Sequence, residues 1–193
     1  MSRLKSIFAR SKLFFQKKNC KPIEISIPSD LNKPANVLVC LPSKQRELTI
    51  IRQLLPDIAS AFSDSEIYLL ASPGSSVYDI FPRKGYRIMT PTSQHLTWSG
   101  LPKKAYMASL AQRKIDIIFD LNLYTNYFAQ YILLSFPKAI RIGKGNHLGS
   151  PFYNLEVKTR FLRDEKNIFK SIITTVDRLR HPPKPIVMDG TAE

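Results

Sequence analysis

Three short stretches carry residues that could do chemistry. The first is Ser43-Lys44-Gln45-Arg46-Glu47, a hydroxyl, two cations and one carboxylate between an apolar run and a helical pattern. Such a position, after a central strand and at a helix N-terminus, favours anions. Glu47 suits a general base there, or a first-turn acid that complements the helix dipole. The second is the end of Ile115 to Asn122, IDIIFDLN. Asn122 is placed to hydrogen-bond a ligand or to cap the helix that follows. The third surrounds Gly143 and Gly145, where Arg141, Lys144 and Asn146 could clasp a phosphate or stay solvated.

Other chemistries lack their residues. A dinucleotide fold needs a glycine fingerprint after its first strand. The loop Leu41 to Glu47 has no glycine, so no NAD, FAD or P-loop nucleotide is expected, and no cofactor. His95, His147 and His181 are isolated, and Cys20 and Cys40 have no metal-ligand spacing. No GxSxG elbow supports a serine hydrolase.

The elements that must position these residues alternate. IDIIFDLN is a short apolar run rich in β-branched residues, as expected of a strand buried on both faces. Asn36 to Leu41, Ile67 to Ala71, Tyr86 to Met89 and Ala139 to Ile142 read as further strands, with Ile23 to Ile27 hinting at another and Phe152 to Val157 extended. Helical spacing begins at Glu47, with Leu48, Ile51, Leu54, Leu55, Ile58 and Phe62 on one face. Pro56 should kink or end that helix. A short helix is expected over Val77 to Phe81, capped by Ser75 or Ser76. Others are expected over Leu101 to Lys114, with Leu101, Ala105, Ala108, Leu110 and Ala111 inward, over Tyr124 to Phe136, and over Asp164 to Arg180 with Asp164 as N-cap. The alternation predicts a single Rossmann-like α/β domain, a mostly parallel sheet with helices on both faces, preceded by a basic amphipathic N-terminal helix. The expected divisions are residues 1–22 for that helix, 23–180 for the domain and 181–193 for a loose tail.

Charge singles out the N-terminus. The chain has 193 residues and a formal net charge of +14. Arg3, Lys5, Arg10, Lys12, Lys17, Lys18 and Lys21 precede the first acid, Glu24. Leu4, Ile7, Phe8, Ser11 and Phe14 fall at helical spacing among them, with Phe15 flanking. Three seats suit such a helix: its own domain, an anionic membrane surface, or another macromolecule. Lys5, Ile7, Phe8, Arg10, Lys12, Phe14, Phe15, Lys17 and Lys18 are the membrane-surface candidates. Basic composition alone also suits nucleic acid, but the aromatics lie in apolar stripes rather than interleaved as a stacking platform, so nucleic acid is not the expected partner. No apolar run approaches the roughly 20 residues that span a bilayer. Cysteine usage indicates no oxidising compartment, so the expected location is the cytoplasm, with peripheral attachment to the inner membrane left open.

Three blocks, in order, resemble the heptosyltransferase-type glycosyltransferases, the ADP-heptose:lipopolysaccharide family of GT-B fold. They are VLVCLPSKQRELTIIRQLLPDI (37–58), IDIIFDLN, and YFAQYILLSFPKAIRIG (127–143). The resemblance covers roughly residues 37–180 and the acceptor-side, N-terminal half of such an enzyme. It implies Glu47 as the base on a sugar acceptor, with Ser43, Lys44, Arg46, Asn122, Arg141, Lys144 and Asn146 binding an acceptor or anion. The family's Gly-Asp pair is Arg46-Glu47 here, and its nucleotide-sugar domain would follow where this chain ends. The resemblance therefore implies a non-catalytic or degenerate glycosyltransferase-like protein. Such a protein would bind an acceptor or partner in envelope polysaccharide or lipopolysaccharide synthesis at the membrane surface. The alternatives are the acceptor half of a split glycosyltransferase, with a donor-domain protein as partner, and an anion- or nucleic-acid-binding module. Homo-oligomerisation would be another way to cover exposed faces.

Overall fold

The computed structural model describes residues 3–21, 23–82 and 84–182. The part of the expected tail from 183 onward lies outside the described residues. Helix α1 is Arg3–Asn19 and is followed by β1 (Asn36–Cys40), α2 (Gln45–Ala61), β2 (Glu66–Leu70) and β3 (Arg87–Met89). Then come α3 (Lys104–Ala111), β4 (Ile117–Asp120), α4 (Tyr127–Ser135), β5 (Ile140–Lys144), β6 (Leu155–Val157) and α5 (Glu165–Arg180). The six strands form one parallel sheet in the order β3-β2-β1-β4-β5-β6. The order reverses direction between β1 and β4, the Rossmann arrangement, and the crevice beyond their carboxyl ends is where such sheets hold ligands.

Strand alternation explains the two layers. Val37, Val39, Ile117, Phe119, Ile140 and Ile142 point to one face, where α2 and α5 pack. Leu38, Cys40, Ile118, Tyr68 and Leu70 point to the other, toward α1, α3 and α4. Both faces are covered, so the strands read as continuous apolar runs rather than alternating ones.

Helix α1 docks through a narrow stripe. Ala9, Leu13 and Cys20 are buried, at helical spacing, and α1 packs on α4. Gln16 between them donates from Nε2 to Ser135 Oγ at 2.7 Å. The stripe Leu4, Ile7, Phe8, Phe14 and Phe15 stays exposed, each residue at 55–66% of its full accessible area. The helix is seated on its own domain and still presents an apolar face.

Several local expectations are corrected. Ile23 to Ile27 forms no strand, because Asp30 and Ser26 close a turn: Ser26 N donates to Asp30 Oδ2 (2.8 Å), and Asp30 N to Ser26 O (2.9 Å). Those bonds occupy backbone groups that a strand would offer to a neighbour. α2 runs through Pro56 to Ala61. The lost bond costs roughly 3 kcal/mol, but Leu54, Leu55, Ile58 and Ala61 are all buried, and that burial outweighs it. Val77 to Phe81 is a single turn, with Ile80 N and Phe81 N both bonded to Val77 O. In α3 the inward residues are Tyr106 and Leu110, while Ala105, Ala108 and Ala111 are exposed. The larger apolar side chains decide which face turns in. Asp164 is the N-cap of α5, as its sequence position predicts, and accepts from Asn167 N at 3.1 Å.

Candidate functional site

The switch-point crevice is a cleft of about 550 Å³. Pro42, Ser43, Lys44 and Glu47 wall it after β1, Ser72 and Pro73 after β2, and Asn122 to Phe128 after β4. Leu96, Gly100 and Ser6 of α1 complete the wall. The sheet reversal leaves this opening, and the loops at strand ends fill its rim.

Hydrogen bonds lock its floor. Asp120, at the end of β4, is 1% exposed. It accepts from Tyr153 Oη (2.8 Å), Asn122 Nδ2 (2.7 Å) and Asn122 N (3.1 Å). Asn126 Nδ2 donates to Asn122 Oδ1 and to Ser72 Oγ, each at 2.8 Å, and Ser72 donates to Leu41 O at 2.9 Å. Asn126 Oδ1 accepts from Ala129 N and caps α4. One chain of bonds thus ties together the ends of β1, β2 and β4 and the segment before β6. Gly143 belongs to the same packing. A Cβ there would overlap the Tyr153 ring, so glycine is what lets Tyr153 reach Asp120.

Electrostatics differ along the cleft. Glu47 lies in the first turn of α2 and is 1% exposed. Burial raises its carboxyl above the ordinary range, and Glu165 adds to this, while Lys44 opposes it. Lys44 Nζ sits 3.5 Å from Glu47 Oε1 and 3.3 Å from the Tyr124 ring centroid, a cation–π contact. Burial also raises Asp120, against its bonds from Asn122 and Tyr153. Burial lowers His147; the nearby Asp120 opposes this and Lys144 adds to it. Among the described residues no group of three or more His, Cys, Asp or Glu could hold a metal ion.

Ser43, Lys44, Glu47 and Asn122 are brought together. Arg46 is not with them: its exposed side chain pairs with Glu165 Oε2 at 3.2 Å, bridging α2 and α5. Arg141 is fully buried in the sheet, where Nη1 donates to Phe136 O at 3.2 Å and contacts Cys20 Sγ at 3.5 Å. It fastens the C-terminal ends of α1 and α4 to β5. Lys144 closes β5, and Asn146 occupies a left-handed turn position (φ 59°) whose N–H faces Glu156 Oε2 at 3.4 Å. Neither lines the cleft. On the cleft wall Ser43, Lys44, Glu47 and Asn122 are joined by Ser72, Tyr124 and Asn126, outside the sequence candidates. The Asn122–Asn126 spacing across a strand end was a signal for one of them; Tyr153 carried none.

A second cleft, about 530 Å³, lies along the β3 edge. Both oxygens of its one carboxylate are engaged, with Arg87 Nε 2.7 Å from Glu66 Oε1 and Tyr68 Oη 2.5 Å from Glu66 Oε2. The switch-point cleft, at the carboxyl ends of β1, β2 and β4 and with Ser43, Lys44, Tyr124 and Thr125 exposed on its rim, is the better ligand site.

The parallel order and the cleft at its reversal define a Rossmann-like α/β domain. The structure titled "E. coli heptosyltransferase WaaC with ADP" matches at TM-score 0.57 and 15% identity, over 73% of this chain and 46% of that one. This likeness shows the fold alone, a Rossmann-like domain such as that structure contains, and the chain spans about half the length of the structure it matches. No protein-family model and no curated protein sequence matches the chain. Among the described residues no helix is long and apolar enough to cross a membrane.

Proposed function

We propose that this domain seats a phosphorylated, lipid-linked sugar acceptor of envelope glycan synthesis at an anionic membrane surface, and does not transfer sugar by itself. One observation carries the reading: Ser6 of α1 lines the same cleft as Ser43, Lys44, Glu47 and Asn122. The basic amphipathic helix therefore borders the crevice where this fold holds its ligands. Lys44 and the N-terminus of α2 supply positive charge for a phosphate, and Ser43 a hydroxyl donor. Ser43 and Thr125 supply exposed hydroxyls for a sugar, and Tyr124 a half-exposed ring beside Lys44.

The test is co-sedimentation with phosphatidylglycerol vesicles, with and without a phosphorylated glycolipid of the lipid A type. The glycolipid is expected to strengthen binding, and Ser43→Ala with Lys44→Ala, both exposed on the rim, to remove that increment while leaving binding to plain vesicles. An increment that survives both substitutions would exclude the cleft as the acceptor site.

A second reading is favoured by Glu47, a buried carboxylate of raised pKa on the cleft wall. With a nucleotide-sugar-binding half supplied by a partner, Glu47 would take the proton of the acceptor hydroxyl. Glu47→Gln is then expected to lower transfer by a reconstituted pair by about 100-fold or more. Transfer at an unchanged rate would remove Glu47 from the chemistry.

A further inference from the structure

We infer that Trp98 belongs to the membrane-contacting surface: the 96–100 loop and α1 form one wedge, with Phe8 and Trp98 side by side on it. The inference rests on the membrane-surface reading above and extends it to a second segment of the chain. Trp98 is the chain's single tryptophan and is 58% exposed. Its ring meets Phe8 edge to face, with centroids 4.7 Å apart at 69°. That contact leaves about half of each ring in water, so the pair does not serve to bury either. A shallow groove of about 400 Å³ continues from them between α1 and the loop, lined by Phe8, Ser11, Lys12, Phe15, Thr97 and Trp98.

The loop is stiff enough to hold the indole out. Thr97 N donates to Leu101 O (2.8 Å), Gly100 N to Thr97 O (2.9 Å) and Lys103 N to His95 O (2.8 Å). Gly100 takes φ +83°, which closes the turn without strain. Trp98 is thus presented at the tip of a closed turn with little ordering left to lose on binding. Indole favours the membrane–water interface, where its ring meets apolar chains and its N–H meets headgroups.

Charge complementarity selects the occupant. Arg3, Lys5, Arg10, Lys12, Lys17 and Lys18 surround the exposed apolar stripe, and neither α1 nor the loop contains an acid. An anionic bilayer matches both the apolar tip and the basic flanks. The wedge is also continuous with the cleft: Leu96 and Gly100 on either side of Trp98, and Ser6 near Phe8, all line it. Insertion of Phe8 and Trp98 would hold the cleft beside the headgroups, within reach of an acceptor that never leaves the membrane.

The experiment is intrinsic fluorescence of the full chain mixed with vesicles of equal parts phosphatidylglycerol and phosphatidylcholine. It is repeated with phosphatidylcholine brominated on its acyl chains, and co-sedimentation is measured in parallel. Binding is expected to move the emission to the blue, and bromine to quench it. Trp98→Ala, at an exposed position that leaves the core intact, is expected to weaken vesicle affinity about tenfold. If the chain co-sediments while its emission stays at the water-exposed wavelength without bromine quenching, Trp98 is off the bilayer. The inference is then overturned, and α1 alone carries the surface reading. If the chain does not co-sediment, both are overturned.

Discussion

Replacing Phe8, Phe14 and Phe15 together by glutamine is expected to weaken binding to phosphatidylglycerol vesicles by about 100-fold. Each ring is already partly covered, so about 1 kcal/mol per residue remains to be gained by insertion. Three such terms give about 3 kcal/mol, and every 1.4 kcal/mol is tenfold in affinity. Glutamine keeps good helix propensity. The inward stripe Ala9, Leu13 and Cys20 is untouched, so α1 should stay docked on α4. Far-ultraviolet circular dichroism of the variant should match that of the parent. Binding by the parent chain should also fall as salt rises, because part of its attraction comes from exposed cations screened over about 10 Å at 0.1 M. Vesicle binding that ignores the substitution would mean that the apolar face is not the contact. Capture of single-stranded DNA without any vesicle binding would assign the surface to nucleic acid instead.

Asp120→Ala is expected to cost about 3 kcal/mol of stability, roughly 6–12 °C in unfolding midpoint for a chain of this size. The carboxylate accepts three hydrogen bonds, and its removal orphans the Tyr153 hydroxyl and the Asn122 amide in the interior. The Asn122–Asn126–Ser72 chain then loses its anchor. Asp120→Asn keeps the shape and removes the charge, with the new amide N–H facing a Tyr153 hydroxyl that must then accept. The folded chain holds the Asp120 carboxyl above its ordinary value because of burial. Between the unfolded value, about 4, and that higher folded value, the native state binds more protons than the unfolded one. The contribution of Asp120 to stability is therefore greatest in acid and falls as pH rises through this window. Thermal melts of parent and Asn variant should differ by an amount that changes with pH in that sense. A difference independent of pH would refute the buried-charge account, and a stable Ala variant would refute the anchoring role.

Glu47 and Arg141 show how far the residues themselves were legible. Glu47 was readable because position three of a helix after a central strand is fixed by local pattern, and the helix then turns the carboxylate into the cleft. Arg141 had the same apparent claim, a cation at a strand's end beside glycines. Strand parity decides otherwise: its side chain points under α1, between Ile140 and Ile142, which face the other layer. Parity relative to a buried or open region depends on which helix covers which face, and no local window contains that.

The chain's own pattern of apolar runs and helical stripes determined the parallel α/β sheet, the cap of α5 and the helical, basic character of the N-terminus. Each follows from side-chain periodicity and backbone sterics within a few residues. Only the tertiary structure decided which stripe of α1 is buried, because its seat on α4 turns Ala9, Leu13 and Cys20 inward and leaves Leu4, Ile7, Phe8, Phe14 and Phe15 outside. It alone brought Tyr153 to Asp120 across 33 residues of sequence, and Trp98 to Phe8 across 90. Those meetings depend on sheet order and layer packing, which arise from the whole core at once.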